Sequence, residues 1–317
     1  MNIVVTGGSG FVGRYVVNQL RSEGHQVTAL DIVPDRQAEG HVVDVTDSLG
    51  VMSAFELFQP ELVVHLAALA GSTGKGGGAE SLKDPYQYFN VNINSTLNVY
   101  EACRQLGIAK MICMSSFSPY GFAPCPIDEQ TPFHPTNPYG GSKACVEEIA
   151  KIYSSIYGVK SVIFRPPLIC GEGQKEVNAL REFVSCALAN RSIVILGEGK
   201  HVREFVHPID VAHAFCAGVE YLSRQTAPYE IFVLGNSPIS MIDLAELVVG
   251  QAGKGKIEFI PSTSQVFDQF TDHRKAMDVL DWHPKITIRE IVRRVISDIK
   301  TRQSMPSFEQ PAEIRTN

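Results

Sequence analysis

A short run near the start of the chain, Thr6-Gly7-Gly8-Ser9-Gly10-Phe11-Val12-Gly13, constrains the fold more than any other feature. It follows a β-branched stretch at residues 3–6. It leads into a segment where Phe11, Val12, Tyr15, Val16 and Leu20 recur at helical spacing. Three glycines between a strand and a helix meet three physical needs. Gly7 permits a tight turn, Gly10 lets the backbone approach a pyrophosphate, and Gly13 lets the helix pack close to the sheet. The unpaired N–H groups at the helix start then face the anion. Asp31 comes eighteen residues after Gly13, at the end of the second strand-like run. A carboxylate there accepts ribose hydroxyls and repels a 2′-phosphate, which favours NAD over NADP, with Arg36 the one nearby residue on the other side.

The pattern continues in the same style. Residues 27–30, 62–66, 111–115 and 161–164 read as further strands, separated by helix-period segments. Near-continuous apolar strands alternating with helices imply a parallel sheet covered on both faces, a doubly wound α/β domain. The 317 residues exceed such a unit. We therefore expect a dinucleotide domain over residues 1–170, with return segments near 205–234. A smaller α/β lobe over 171–302 and a disordered polar tail over 303–317 would complete the chain. With 28 Lys+Arg against 34 Asp+Glu and no basic cluster, the chain is unsuited to nucleic acid. No apolar run reaches the ~18 residues of a membrane span. Seven Cys without a CxxC pair read as reduced thiols, and the strand beginning at Met1 leaves no room for a signal peptide, so cytoplasm is expected. The glycine-rich stretch 71–78 is not a phosphate loop, because Lys75 is followed by Gly76 and Leu69 stands where that pattern needs Gly. It reads as a mobile loop beside the site.

Tyr139-Gly140-Gly141-Ser142-Lys143 follows Asn137-Pro138, a helix-starting turn. Tyr and Lys four apart share one helical face. A free phenol, with a pKa near ~10, is a poor base at neutral pH, and bringing it down takes roughly 4 kcal/mol. A neighbouring ammonium and a nicotinamide's positive charge are expected to supply it. Ser115 and Ser116, at a strand end upstream, offer the hydroxyl that would bind a reacting oxygen, with Ser118 a weaker third.

These motifs, in this order, resemble the extended short-chain dehydrogenase/reductase family, and within it the NAD-dependent nucleotide-sugar epimerase/dehydratase group. The resemblance runs from Met1 to about Lys300. It implies a Rossmann domain with a substrate lobe and cofactor contacts from Gly7, Gly10, Phe11, Val12, Asp31, Asp44, Val45, Leu66, Ala67, Ala68, Asn92, Tyr139, Lys143 and Pro166. The Asp44-Val45 pair, the His65-Leu66-Ala67-Ala68 strand end and Asn92 each match a family position. Four residues before Tyr120-Gly121, Ser116 takes the place of the family's catalytic hydroxyl, with Tyr139 as acid/base and Lys143 beside it. In Arg203-Glu204-Phe205-Val206-His207, Arg203 matches an Arg that binds nucleotide diphosphate, and residues 177–181 are expected to help. Otherwise Arg203 would form a surface pair with Glu204 or a neighbour.

Departures narrow the chemistry. The dehydratase and decarboxylase branches need an acid just after the Ser, where this chain has Phe117 and Ser118. Epimerisation of a nucleotide-sugar through a keto intermediate needs no such acid and no metal. Leu168 replaces an Asn that usually bonds the diphosphate, and the family's late Arg is not evident before Asp272. Those losses keep open a plain sugar or alcohol dehydrogenase, and, more remotely, a non-catalytic NAD sensor. The resemblance also implies a homodimer through helices near 94–105 and 142–157.

Overall fold

The computed structural model describes residues 1–33, 40–70, 82–224, 227–261 and 266–304. Arg36, the 71–78 loop and most of the expected tail lie outside the described residues; Gln303 and Ser304 continue the last helix. Strands β1 (Asn2–Thr6), β2 (Gln26–Asp31), β3 (His41–Val42), β4 (Leu62–His65), β5 (Lys110–Met114), β6 (Lys160–Arg165) and β11 (Tyr229–Val233) form one sheet. Its order is β11-β6-β5-β4-β1-β2-β3, parallel throughout. The chain runs outward from β1 through β2 to β3, then crosses back to β4 on the other side of β1. That reversal opens a crevice beyond the carboxyl ends of β1 and β4, where such sheets bind ligands.

Both sheet faces are buried, so the strands read as apolar runs and not as alternating ones. On one face α1 (Gly13–Ser22) and α7 (Pro208–Arg224) pack over Ile3, Val5, Val64, Phe164 and Phe232, and α9 (Arg274–Leu280) adds Ala276 to the same core. On the other, α2 (Ser48–Phe58), α4 (Ser95–Leu106) and α5 (Pro138–Tyr157) cover Val4, Val63, Met111 and Ile163. Within the return stretch expected near 205–234, β11 is therefore part of the large sheet. A separate core joins α6 (Ala179–Leu188), α8 (Met241–Ala252) and α10 (Ile288–Ser304) with the parallel pair β8 (Ser192–Leu196) and β13 (Lys256–Ile260). Among the described residues, no helix is long and apolar enough to cross a membrane.

One buried ion pair ties the sheet to α5. Glu147 and Arg165 are almost wholly enclosed, with Nη2 to Oε2 at 2.6 Å and Nε to Oε1 at 2.9 Å. Arg165 also donates to the Tyr120 hydroxyl at 2.5 Å and lies over the Phe133 ring. Removing one partner strands a buried charge, so Glu147→Ala should cost about 3–5 kcal/mol of stability. Urea denaturation of the purified variant measures this directly.

Candidate active site

The glycine run closes over the end of β1 as a backbone cradle. Gly7 adopts φ +71°, and its N–H donates to the Leu30 carbonyl at 2.7 Å. A Cβ on Gly7 would lie 2.6 Å from the Ala67 nitrogen, so this position faces the β4 end with no room for a side chain. Gly10 differs: its added Cβ would meet only the Gly7 carbonyl, at 3.1 Å, and otherwise point into open space. That open space, bounded by backbone at the start of α1, fits a pyrophosphate. Asp31 is held at its rim, one carboxylate oxygen accepting from Ser9 N–H at 3.1 Å and the other from Val33 N–H at 3.3 Å. Val45 is buried, and its carbonyl accepts from Asn98 at 3.0 Å. Asp44 is exposed and caps its own turn through Thr46. Leu66 continues β4 by donating to Thr6, leaving Ala67 and Ala68 partly buried over the crevice.

A buried chain of polar groups fixes the β4 end. Thr96 Oγ1 donates to the Asn92 carbonyl at 2.7 Å, so it accepts from His65 Nε2–H, and Nδ1 accepts from the Thr6 hydroxyl at 2.7 Å. Burial, with the Lys143 charge adding to it, pushes the His65 pKa down to about 3 and keeps the ring neutral. Asn92 sits in a π-helical turn, Asn90–Asn94, between α3 (Pro85–Phe89) and α4. Such turns re-aim a side chain and recur at functional sites. Its amide receives Leu69 N–H at 2.8 Å and donates to the Ser142 hydroxyl at 2.9 Å. One side chain thus joins the loop after β4 to the helix carrying Tyr139. Sequence reading found Asn92 through its family position, but the extra residue in the turn has no periodic signature.

Helix α5 begins with Asn137 capping Gly140 N–H at 2.8 Å and Pro138 in the first turn. Tyr139 and Lys143 then fall one above the other. A Cβ on Gly140 would lie 2.8 Å from the Ser118 carbonyl, so this glycine lets the helix start approach the turn that follows Ser116. Burial raises the Tyr139 pKa, and a hydrogen bond with Ser116 pulls it partly back. Lys143 is also buried; its pKa is pushed down to about 8, with Cys113 and Glu147 opposing the fall, and Nζ donates to the Met114 carbonyl at 2.9 Å. The phenol is therefore raised, not lowered, in this state, because its burial outweighs the Ser116 hydrogen bond. The two candidate serines diverge: Ser115 donates to Glu147 inside the sheet, while Ser116 faces Tyr139 and caps Ser118 N–H at 3.1 Å. Pro166 is buried, and its carbonyl accepts from Phe117 at 3.0 Å.

Arg203 lies in β9 (Val202–Arg203), which pairs with β12 (Ile239–Ser240). Its guanidinium donates to the Phe267 carbonyl at 2.5 Å and lies 5.3 Å from that ring's centroid. Among the described residues it has no carboxylate at ion-pair distance. The surface pair with Glu204 does not form, because successive strand residues point to opposite sides. Arg181, in the 177–181 stretch, is spent on Asp298 at 3.1 Å, and Asn178 caps α6. Leu168 lies in β7 (Leu168–Ile169), in register with Phe205 of β10 (Phe205–Val206), and packs into the second core.

A glycine cradle at the sheet's reversal, with Tyr and Lys on one helix beside it, defines a dinucleotide-dependent enzyme of the short-chain dehydrogenase/reductase type. More narrowly, the chain belongs to the NAD dependent epimerase/dehydratase family, whose model matches residues 3–235. The UDP-glucose 4-epimerase of Streptococcus mutans serotype c is 31% identical over 318 residues, covering 90% of this chain and 92% of its own. The UDP-glucuronate 4-epimerase of Thermodesulfobacterium geofontis is 28% identical over 318 residues, covering 93% and 94%. The crystal structure of UDP-glucose 4-epimerase from Thermus thermophilus, complexed with NAD, superimposes with a TM-score of 0.81 at 28% identity, covering 95% of this chain and 99% of that one. NAD is the cofactor of this family, and the cradle accommodates it.

Gly10→Ala fills the cradle with little disturbance to the protein around it. The variant should fold and lose about tenfold or more in NAD affinity. Quantifying the dinucleotide released from denatured protein checks it.

Proposed function

We propose that the protein is an NAD-dependent epimerase that inverts a hydroxyl-bearing carbon of a nucleotide-sugar, with carbon 4 of a UDP-hexose the leading candidate. The observation that carries this reading is Ser116 beside Tyr139, with Lys143 one turn along and a buried Phe117, not an acid, following the serine. The names of the Streptococcus and Thermodesulfobacterium relatives support the UDP-sugar and the carbon.

Bound NAD supplies reversible hydride acceptance, so the chain's own task is to manage one proton and one oxygen. Tyr139 removes the proton from the substrate hydroxyl and returns it. Ser116 donates a hydrogen bond to the same oxygen and holds it beside the phenol. Lys143 is the cation of this cleft, and Asn92, through Ser142, keeps α5 at its distance from the β4 end. With no acid after Ser116, the keto sugar has nothing to expel a neighbouring group, and it turns and is reduced on its other face.

The remaining roles follow from the same reading. The second core, residues 171–302, forms the substrate lobe, and Arg203 grips the diphosphate. The exposed Leu97, Ile152, Ile156 and Tyr157 on α4 and α5 form a homodimer face. Free thiols at all seven Cys suit the cytoplasm. Leu168 favours a second reading, a dehydrogenase acting on an alcohol without a diphosphate, because it offers no hydrogen bond to phosphate.

Incubation with UDP-glucose or UDP-glucuronate separates the two. Interconversion of 4-epimers without net NADH absorbance supports epimerisation, and stoichiometric NADH sinks it. Tyr139→Phe should lower kcat by about 10²–10⁴-fold. Ser116→Ala should lower it about 10²-fold, while Ser115→Ala changes it far less. Equal losses for the two serine variants would refute the assignment of Ser116.

A further inference from the structure

Glu204 sits in a place that disfavours a carboxylate. It is 1% exposed, and among the described residues no Lys or Arg pairs with it. The nearest basic atom is His273 Nδ1 at 3.9 Å, on a ring whose pKa burial lowers. Three donors converge on it instead. Oε1 accepts from Asn236 N–H at 2.7 Å, and Oε2 accepts from Thr271 N–H at 3.0 Å and Thr271 Oγ1 at 2.8 Å. Those donors belong to the turn after β11 and to the extended segment 266–272.

That segment is the support under Arg203. Phe267 supplies the carbonyl and ring that the guanidinium rests on. Gln269 N–H donates to the Val202 carbonyl at 3.0 Å, and the Asp268 carboxylate accepts from Val202 N–H at 2.9 Å. Its other edge meets the loop that follows Ser116 and Tyr120. Ile127 N–H donates to Phe270 at 3.0 Å, Asp272 N–H donates to Ile127 at 2.7 Å, and Cys125 bonds Asp268 and Phe270. Glu204 is thus the buried joint between the Arg203 strand and the segment that aims Arg203.

We propose that Glu204 is a positioning residue for substrate: as a carboxylate it clamps segment 266–272 against β9 and aims Arg203 at the diphosphate of a nucleotide-sugar, and as a carboxylic acid it releases that clamp. This rests on Arg203 being the diphosphate ligand, as read above. The chemistry of the clamp is one-sided. An ionised carboxylate offers only lone pairs, which match three donors; a protonated one brings a fourth donor into the same space. Burial pushes its pKa up to about 7, while the Asn236 and Thr271 hydrogen bonds pull it down. Each of those bonds therefore favours the charged form and weakens when the proton arrives. The titratable groups that face it are His273 and, on the loop after Tyr120, Cys125; Arg203 and Asp268 interact with each other on the far side of β9.

The test is calorimetric binding of UDP-glucose to NAD-loaded protein carrying Tyr139→Phe, which slows turnover. The ligand is a diphosphate diester, so its own charge stays constant between about pH 6 and pH 8. The protein with Glu204 should bind about tenfold more weakly at ~pH 6 than at ~pH 8. Glu204→Gln should bind weakly at both and lose the dependence. Thr271→Val, a milder change, removes one donor that favours the carboxylate. Its affinity should fall severalfold, and the midpoint of the pH dependence should move upward. In protein with Tyr139 intact, Glu204→Gln should raise KM and leave kcat at saturating substrate near the original value. Undiminished affinity in Glu204→Gln, or a flat pH profile in its parent, overturns the clamp while leaving the epimerase reading intact. Failure to bind any UDP-sugar at either pH overturns the diphosphate reading and the clamp together.

Discussion

The backbone of Gly7 lies directly against the backbone of Ala67, and the site depends on that approach. These residues end β1 and β4, the adjacent strands between which the sheet reverses direction. A side chain on Gly7 would push the two ends apart, since its Cβ would sit 2.6 Å from the Ala67 nitrogen. With only hydrogen there, the crevice is walled on both sides by backbone. N–H groups and small residues then face the space proposed for the dinucleotide. The Thr6–His65–Thr96 chain of hydrogen bonds holds the same two ends in register from inside the sheet. Its neutral imidazole acts as a spacer, because a charged ring could not sit in that enclosure beside Lys143.

From this fixed edge the side chains proposed for catalysis are placed by relay. Thr96 hands the β4 end to the Asn92 backbone, and Asn92 hands it to Ser142 on α5. On the opposite side of that helix, Glu147 locks α5 to Arg165 of β6 and receives Ser115. Tyr139 and Lys143 therefore stand on a helix pinned at both flanks, and Ser116 is set by the neighbour whose hydroxyl is used up. A buried ion pair adds little net stability over an apolar equivalent. Its contribution here is geometric: Arg165 immediately precedes Pro166, so the same contact sets the strand end that the nicotinamide would meet.

Much of this was legible in the sequence where local rules act alone. The strand runs fell within a residue of the observed strands, since a parallel sheet buried on both faces leaves unbroken apolar runs, while the helix read at 142–157 begins four residues earlier, at Pro138. The glycine loop after β1, Asp31 at the end of β2, and Tyr139 and Lys143 one turn apart on α5 lie where their spacing put them, because that spacing is fixed by a single turn or helix. What escaped depended on direction and distance along the chain. Ser115 and Ser116 are indistinguishable as letters, yet they leave the strand end toward opposite sides. Arg203 and Glu204 invite pairing as neighbours, and alternation along a strand sends them apart. Arg181 closes the 177–181 stretch expected to help Arg203, and Asp298, far along the chain, pairs with it.

The chain's charge of −6 gives these placements a common logic. A protein repelled by its ligands at long range must bind their phosphates through close, oriented groups, because the global field is screened within about 10 Å at moderate salt. On the proposed reading, that need would be met by backbone N–H groups at the glycine cradle and by Arg203 on β9, which has no carboxylate at ion-pair distance among the described residues. The nearest carboxylate in sequence, Glu204, is turned into the protein and satisfied by three donors, so it does not neutralise Arg203. Lys143 follows the same rule, resting on a carbonyl and not on an acid. Each cation that would meet a phosphate or a reacting oxygen thus keeps its charge unspent, and the cost is burial that lowers the pKa of both. An anion arriving beside either cation offsets that cost directly, so relief of the cations' own desolvation becomes part of what holds the ligand.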